Sequence, residues 1–309
     1  MALPYSISGH IFDTNGTTAI NRAIVSAYNM TTGEYLPLTS ICVTNSAGEY
    51  AIDCANFPNS YTNGDIIEVL VWRDCNYSRY QTTISTDSMV EEKDITTSKN
   101  SYTTTSRLSA FLQMKRTFNM IQHPTHVDIC ERIAEVEDMI DVITRTAWRV
   151  KTVTNEYHTL ENDYVIDTGR SVRTNFYPLQ TFTSGTHKIE YWNGSSWIDW
   201  VSTKTESRSG DFWINYTDGV IYMRMPFLVT GKMNDVRLTY RYGESTVPED
   251  IKLAATMLAS INIITNEDRS MFLLGGEAAN ISYSGKVESW KKQADEILAR
   301  RTKIGVGWS

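Results

Sequence analysis

Apolar and polar residues alternate along short runs in the first hundred residues of the chain. The clearest runs cover positions 7–11, 24–28, 50–52, 66–72 and 80–84. Turn signals such as Asp13-Thr-Asn-Gly16 and Asn45-Ser-Ala-Gly48 separate them. Short alternating strands with a turn about every 8–12 residues are typical of an all-β sandwich. The pattern therefore predicts a β-sandwich over residues 1–95.

The stretch that follows is polar and of low complexity. It reads Thr-Thr-Ser-Lys-Asn-Ser-Tyr-Thr-Thr-Thr-Ser from position 96 to 106, a composition that favours a flexible connection. The charge balance also changes here, because residues 1–100 hold 5 basic and 11 acidic side chains whereas residues 101–309 hold 24 and 25. We therefore predict a linker over residues 96–106, and we expect residues 1–95 to fold alone.

Beyond this segment the apolar period becomes helical. Helices are predicted over residues 107–121, 126–147, 248–266 and 284–301. Thr125 and Asp128 form a capping-box pattern at the start of the second helix, and Pro248 lies at the first position of the third. The second helix has one apolar stripe, which consists of Ile129, Ile133, Val136, Ile140, Ile143 and Ala147.

Residues 150–245 return to the period of strands. Asn193-Gly194 and Asp218-Gly219 each join two alternating apolar runs, which is the strongest short-range signal for a β-hairpin. We therefore predict a β-hairpin insertion over residues 150–245, within a helical domain that spans residues 107–309 and ends in a tail at 302–309. The fold class predicted for the chain is α+β and multidomain.

Composition and charge exclude several classes of protein. The chain has 29 basic and 36 acidic residues and a net charge of −7, which excludes general affinity for duplex DNA. No apolar run reaches the length of about 18 residues that a membrane span needs, and residues 1–9 lack the features of a cleavable signal peptide. We expect Cys42, Cys54, Cys75 and Cys130 to be reduced thiols, with one disulfide among the first three left open.

The chain shows no recognised catalytic motif, so the sequence predicts neither an enzyme nor a cofactor. One cluster has metal-ligand residue types: His123, His126 and Cys130, with Asp128 and Glu131 nearby. His123 precedes a proline and lies outside the predicted helix, so we interpret the cluster as an ordinary loop and helix start.

Four tryptophans fall in the predicted hairpin region, namely Trp192, Trp197, Trp200 and Trp213. They are a candidate platform for stacking against a sugar. The interpretation that we favour is cross-strand pairing that covers a sheet, since aromatic residues commonly pair in this way.

The N-terminal region carries a pattern of turn and strand residues in a fixed order. The pattern consists of Gly9, Asp13-x-x-Gly16, Ala23-x-Val25-x-Ala27, Thr31-Thr-Gly33 and Asn45-x-x-Gly48-Glu-Tyr50. This order resembles the transthyretin-like, carboxypeptidase-regulatory type of immunoglobulin-like module. The resemblance implies an Ig-like β-sandwich over residues 1–95 and leaves its ligand or role open.

Residues 105–309 carry a second resemblance. Its segments are Ile140-Asp-Val-Ile-Thr-Arg-Thr-Ala-Trp148, Tyr177-Pro-Leu-Gln180, Ile189-Glu-Tyr-Trp192, Asp218-Gly-Val-Ile221, Val247-Pro-Glu-Asp-Ile-Lys-Leu-Ala-Ala255 and Ile297-Leu-Ala-Arg-Arg301. In this order they resemble the head–tail connector (adaptor, head-completion) family of long-tailed phages.

The resemblance implies a structural protein of the virion neck, made in the host cytoplasm. Such proteins form a dodecameric ring that docks on the portal protein and receives a stopper or tail-completion protein. DNA passes through the ring without specific binding, which the net charge of −7 would favour. We expect residues 1–95 to be dispensable for ring assembly.

The C-terminal segment has the opposite charge to the rest of the chain, since residues 286–309 hold six basic and three acidic side chains. We interpret it as a docking arm for an acidic portal groove. The candidate portal-binding residues are Trp290, Arg300, Arg301, Lys303 and Trp308. The helix dipole alone also favours cations at a helix C-terminus, so both explanations stay open.

Two other functions stay open at this stage. One is a tail or baseplate adhesin that binds a host glycan through its Ig-like module and its tryptophan-rich sheet. The other is an enzyme with an Ig-like accessory domain, which the absence of a catalytic motif disfavours.

Overall fold

The computed structural model describes residues 5–85, 89–114, 118–159, 169–224, 235–266 and 283–302. These residues form a mixed α+β protein, as predicted. The chain divides into two compact units. The first consists of Met1–Ile140 and Glu249–Arg300, and the second of Asp141–Pro248 and Arg301–Ser309.

The described strands between residues 6 and 99 form two sheets in the first unit. Their bounds are β1 Ser6–Phe12, β2 Ile24–Asn29, β3 Glu34–Tyr35, β4 Cys42–Val43, β5 Glu49–Asp53, β6 Ile66–Arg73, β7 Asn76–Thr83, β8 Val90–Glu92, β9 Ile95–Thr96 and β10 Ser98–Lys99. One sheet has the order β5-β1-β8, with β9 also paired to β1. The other has the order β10-β7-β6-β2-β3, with β4 also paired to β2.

The two sheets share one hydrophobic core. It contains Ile7 and Ile52 from the first sheet and Val25 and Val69 from the second, all buried. In β1 and β5 the buried residues alternate with more exposed neighbours, because successive side chains of a strand point to opposite faces. The middle of β6 is buried on both faces. A β-sandwich is therefore present where the alternating pattern predicted one.

The segment predicted as a linker is folded, so that prediction is wrong. β9 pairs with β1 and β10 pairs with β7, and Asn100 and Tyr102 are buried. Polar groups of this segment form hydrogen bonds inside the protein. The Asn100 amide donates to the carbonyl oxygen of Cys130, and the Glu137 carboxylate accepts from the backbone amide of Tyr102.

Five α-helices are present in the described residues: α1 Thr105–Phe111, α2 His126–Thr144, α3 Trp200–Thr203, α4 Glu249–Asn266 and α5 Tyr283–Arg301. The bounds of α4 and α5 agree with the prediction to within one residue. The capping box of α2 is also confirmed, because the Thr125 amide donates to Asp128 Oδ2 (2.7 Å) and the Asp128 amide donates to Thr125 Oγ1 (3.2 Å).

Two predicted helices are shorter than expected. α1 ends at Phe111 instead of residue 121, and α2 ends at Thr144 instead of residue 147. Gln113 has a φ of 50° and Arg145 a φ of 52°, and a residue in the left-handed region does not continue an α-helix. Ile143, predicted to lie in the apolar stripe, is 41% exposed.

The second unit contains the predicted hairpins. Its strands are β11 Lys151–His158, β12 Gly169–Arg173, β13 Lys188–Trp192, β14 Trp197–Asp199, β15 Phe212–Asn215, β16 Val220–Arg224 and β17 Val236–Tyr242. One sheet has the order β11-β17-β13-β14 and the other the order β12-β16-β15. Ile189 and Leu238 from the first sheet share a core with Ile214 and Ile221 from the second.

Both hairpin turns lie where the sequence placed them. β13 pairs with β14 across Asn193-Gly194, and β15 pairs with β16 across Asp218-Gly219. Gly194 and Gly219 have φ values of 102° and 68°, which glycine adopts without the steric penalty that a side chain brings.

The four cysteines are free thiols, and Cys54 and Cys130 are buried. No helix in the described parts of the chain combines the length and the apolar character that crossing a bilayer requires.

Candidate functional surfaces

The candidate portal-binding residues lie on α5 and in the segment that follows it. Trp290 is partly buried, and its ring packs against Phe111 with centroids 4.8 Å apart. Arg300 is exposed on the last turn. The exposed Arg301 places its guanidinium 5.8 Å from the ring centroid of Trp148. Trp290 therefore packs α5 against α1. Lys303 and Trp308 lie outside the described residues.

α5 exposes most of its surface to solvent. Among its described side chains, Ala294, Ile297 and Leu298 are buried, and they lie on one face at helical spacing. The exposed positions include Lys286, Lys291, Lys292, Arg300 and Arg301. The helix therefore presents cations along its length and at its C-terminal end, where the dipole also favours them.

A charged cluster joins the sandwich to α2 within the first unit. Arg79 on β7 binds Glu68 Oε2 and Asp128 Oδ1 at 2.5 Å each, and it binds both carboxylate oxygens of Glu131 at 3.0 Å. Burial opposes the charge on Arg79, but the bonds to these three carboxylates outweigh it and raise the pKa of the guanidinium. Arg79 therefore stays charged, and the cluster connects two strands of the sandwich to one helix.

Asp128 is the residue on α2 where several of these bonds meet. Its carboxylate also accepts from the Thr125 amide and lies 2.8 Å from His123 Nδ1. Burial alone would raise the pKa of Asp128, but the bonds from Thr125, His123 and Arg79 outweigh it and lower the pKa. Asp128, which the sequence assigned to a helix cap, thus also bonds α2 to the sandwich through Arg79.

An apolar contact lies next to this charged cluster. Leu70 on β6 is buried with Met120 and Val127, and Trp72 packs against them. His126 stacks on Trp72 with ring centroids 3.8 Å apart and planes at 12°. Residues 1–95 therefore make both polar and apolar contacts with α2.

The histidines and the cysteine of the candidate metal cluster have separate partners. His123 binds Asp128, His126 stacks on Trp72, and Cys130 is buried. Burial lowers the pKa of His126 to about 4 and raises the pKa of Cys130. Throughout the described ranges, no group of histidine, cysteine, aspartate and glutamate side chains could hold a metal ion.

Of the four tryptophans in the predicted hairpin region, Trp192, Trp197 and Trp213 lie in cross-strand pairs. Trp192 and Trp197 face each other on β13 and β14, with centroids 5.4 Å apart and planes tilted by 56°. Trp213 stacks on Tyr222 of β16 at 5.0 Å, and Trp200 is buried in the core. Arg237 lies 4.6 Å from the ring centroid of Trp197.

One buried carboxylate in the second unit, that of Glu156, is bonded to residues of the types that recur in acid–base catalysis. Glu156 binds the Tyr240 hydroxyl at 2.6 Å, His158 Nε2 at 2.5 Å and the Asn175 amide at 3.0 Å. Burial would raise the pKa of Glu156, but these bonds outweigh it and lower the pKa. The carboxylate is fully occupied by bonds within the unit, so we interpret the cluster as structural.

A polar groove opens on the sandwich, with a volume of about 540 Å³. It is lined by Ser8, Gly9, His10, Glu49, Tyr50, Glu92 and Asp94. His10 lies between two carboxylates, 3.1 Å from Asp94 and 3.9 Å from Glu49. Bonds from the backbone amide and side chain of His10 lower the pKa of Asp94. Three carboxylates, those of Glu49, Glu92 and Asp94, therefore make this an acidic groove.

Comparison with known proteins gives the following matches. No protein-family model and no curated protein matches the sequence. Among solved structures, a chain from the neck of an empty GTA particle aligns over 66% of this chain and 91% of its own, with 10% identity and a TM-score of 0.40. The major pilin subunit BcpA of Bacillus cereus aligns over 79% of this chain and 60% of its own, with 10% identity and a TM-score of 0.23.

Catechol 1,2-dioxygenase from Acinetobacter sp. ADP1 also aligns, over 31% of this chain and 53% of its own, with 13% identity and a TM-score of 0.22. The present chain thus covers less than two thirds of both the pilin and the dioxygenase. These TM-scores are too low for any of the alignments to establish a common fold.

Sequence reasoning missed the contact between the sandwich and α2. The available signal was Glu68, a single carboxylate in the most apolar strand of the chain, because a charge at a buried position needs a partner. Nothing in the sequence names Arg79 as that partner.

Proposed function

We propose that this chain is a structural protein of the viral neck, a ring-forming head–tail adaptor that docks on the portal protein. In the virion it would link the DNA-filled capsid to a stopper or tail. The observation that carries the proposal is the order of elements: α1 and α2, the two-sheet insertion, then α4 and α5. This order agrees with the resemblance of residues 105–309 to the adaptor family.

α5 is the element that we assign to portal binding. It is exposed along most of its length and carries five cations between Lys286 and Arg301. An acidic groove on a portal would attract this surface, and repetition around a ring would multiply weak contacts through effective concentration. The dodecameric state and the stopper partner come from the resemblance alone. DNA would pass through the ring without specific contacts.

The structure changes the place of the N-terminal sandwich in this proposal. Arg79 and Trp72 bind it to α2, so the sandwich belongs to the body that carries the helices. We therefore propose that the sandwich is a structural part of each ring subunit rather than an appended module.

Portal binding can be tested with the purified chain and the portal protein of the same virus. We expect a chain that carries Arg300→Glu and ends at Thr302 to keep its melting temperature and to lose portal binding. Lys99→Glu, which reverses an exposed cation on β10, is the matched control and should bind normally. Normal portal occupancy by the altered chain would show that α5 and its tail do not carry docking.

A further inference from the structure

The outer face of the sheet β11-β17-β13-β14 carries aromatic and basic side chains together. Arg237 pairs with Tyr157 on one side and Glu190 on the other, and Lys188 and Arg241 lie on the same face by strand alternation. Trp197 completes the row at the edge strand. We call Tyr157, Lys188, Trp197, Arg237 and Arg241 the cationic sheet face.

Contacts within the sheet hold the side chains at the centre of this face in place. Arg237 makes two bonds of 2.8 Å to the carboxylate of Glu190, and its guanidinium lies over the ring of Trp197. The ring of Tyr157, which is 49% exposed, lies 6.1 Å from Trp197. Tryptophan, tyrosine and arginine dominate the binding energy of protein interfaces, and side chains that are held in place lose less entropy on binding.

Two cations at the periphery of this face are available to a partner. Lys188 and Arg241 are exposed, and no carboxylate of the described residues forms a salt bridge with either. The face also contains the carboxylates of Glu190 and Asp199, so it lacks the continuous basic stripe that nucleic acid requires. The tilted rings of Trp192 and Trp197 do not form a flat platform for a sugar. An acidic protein surface fits best.

The same chain presents such a surface. The acidic groove of the sandwich has three exposed carboxylates, those of Glu49, Glu92 and Asp94. Lys93 lies between Glu92 and Asp94 in the chain, but its ammonium group lies over the ring of Tyr80, 5.0 Å from the ring centroid. Residues 1–100 carry a net charge of −6, so the surroundings of the groove do not offset its charge.

We propose that the cationic sheet face of one copy of this chain binds the acidic groove of a second copy. The proposal rests on the proposed ring and names the two surfaces that would build it. A contact between two different patches is heterologous, and repeating it head to tail gives a ring when the rotation closes. Opposite charges would set the register, and the aromatic side chains would supply the apolar part.

Charge reversal tests this pairing. One variant carries Lys188→Glu and Arg241→Glu, a second carries Glu49→Lys and Asp94→Lys, and a third carries all four changes. The control carries Glu288→Lys and Asp295→Lys on exposed positions of α5. Oligomer mass is measured by light scattering, and circular dichroism checks the fold of each variant.

We expect each double reversal to lower the assembled fraction at least tenfold, the fourfold reversal to restore it, and the control to assemble normally. Folded double reversals that assemble like the unaltered chain would overturn the pairing. So would a folded fourfold variant that stays dissociated, or an unaltered chain that is monomeric at its highest soluble concentration. If the fourfold variant is rescued but the chain is absent from virion necks, the pairing holds and the proposed function fails.

Discussion

The indole of Trp72 and the imidazole of His126 stack in parallel, with centroids 3.8 Å apart and planes at 12°. Trp72 belongs to β6 of the sandwich, and His126 is the first residue of α2. The ring of Phe118 lies edge-on to His126, with centroids 6.3 Å apart. A strand that the sequence assigned to a separate domain is thus packed on a helix that lies beyond the predicted linker, so the two elements share one core.

Replacing Arg79 with alanine should strongly destabilise the first unit. The change leaves Glu68, which is 3% exposed, without its cationic partner, and removing one partner of a buried ion pair costs about 3 kcal/mol. Urea unfolding followed by circular dichroism would measure the loss. Arg73→Ala is the matched control on the neighbouring strand, because its pair with Asp74 is exposed and should contribute less than about 1 kcal/mol. Equal effects of the two changes would contradict the role given to Arg79.

The stability of the chain should fall as the pH is lowered from 7 towards 4. Burial lowers the pKa of His126 from 6.5 to about 4, so the unfolded chain takes up this proton at a higher pH than the folded chain does. The neutral side chain therefore stabilises the fold above pH 6.5, and that contribution, on the order of 3 kcal/mol, is lost progressively as the pH falls to about 4.

His126→Phe provides the test of this pH dependence. Phenylalanine keeps a ring against Trp72 but does not titrate. We expect the urea midpoint of the variant to depend less steeply on pH between 7 and 4.5 than that of the unaltered chain. Parallel pH profiles for the two chains would show that His126 does not contribute.

Removing residues 1–99 should leave a chain that associates nonspecifically. The deletion exposes Met120 and Val127, which are buried against the sandwich, and it removes Arg79 from Asp128 and Glu131. Exposed apolar surface of this kind promotes aggregation. Size-exclusion chromatography would check this, with a chain that ends at Thr302 as the control. A monodisperse, folded 100–309 fragment would restore the original view of a separable sandwich.

The two hairpin glycines of the second unit should differ in their tolerance of a methyl group. Gly219→Ala places Cβ 2.3 Å from Thr174 Oγ1, whereas the Cβ of Gly194→Ala meets nothing within 4 Å. Both residues have positive φ, which costs an alanine about 1 kcal/mol, and the clash at Gly219 should add roughly 2 kcal/mol. Thermal unfolding of the two variants would measure the difference. A larger loss for Gly194→Ala would contradict the geometry.

Local patterns predicted most elements of the fold. The alternation around Ile66, the capping box at Thr125 and the Asn193-Gly194 turn each depend on a few neighbouring residues, so the sequence is enough to locate them. The folded state of residues 96–106 was missed because it depends on distant partners. The Asn100 side chain bonds to Cys130, 30 positions further on, and the Tyr102 amide bonds to Glu137, 35 positions further on. Polarity alone does not reveal such pairings.

The candidate surfaces were predictable to a smaller extent. Composition identified the cationic character of α5. The packing of Trp290 against Phe111 could not be predicted, because the two residues lie far apart in the sequence. The acidic groove joins residues near positions 10, 49 and 94, which lie together only because β1 pairs with β5 and β8.

Immunogold labelling of virions with an antibody against this chain would show whether the chain is a neck protein. We expect gold particles at the neck, between the capsid and the tail, in one ring-shaped position per virion. Label on tail fibres or the baseplate would instead favour the glycan-binding adhesin, and label on the capsid faces would exclude both. Either result would contradict the assignment of this chain to the portal vertex.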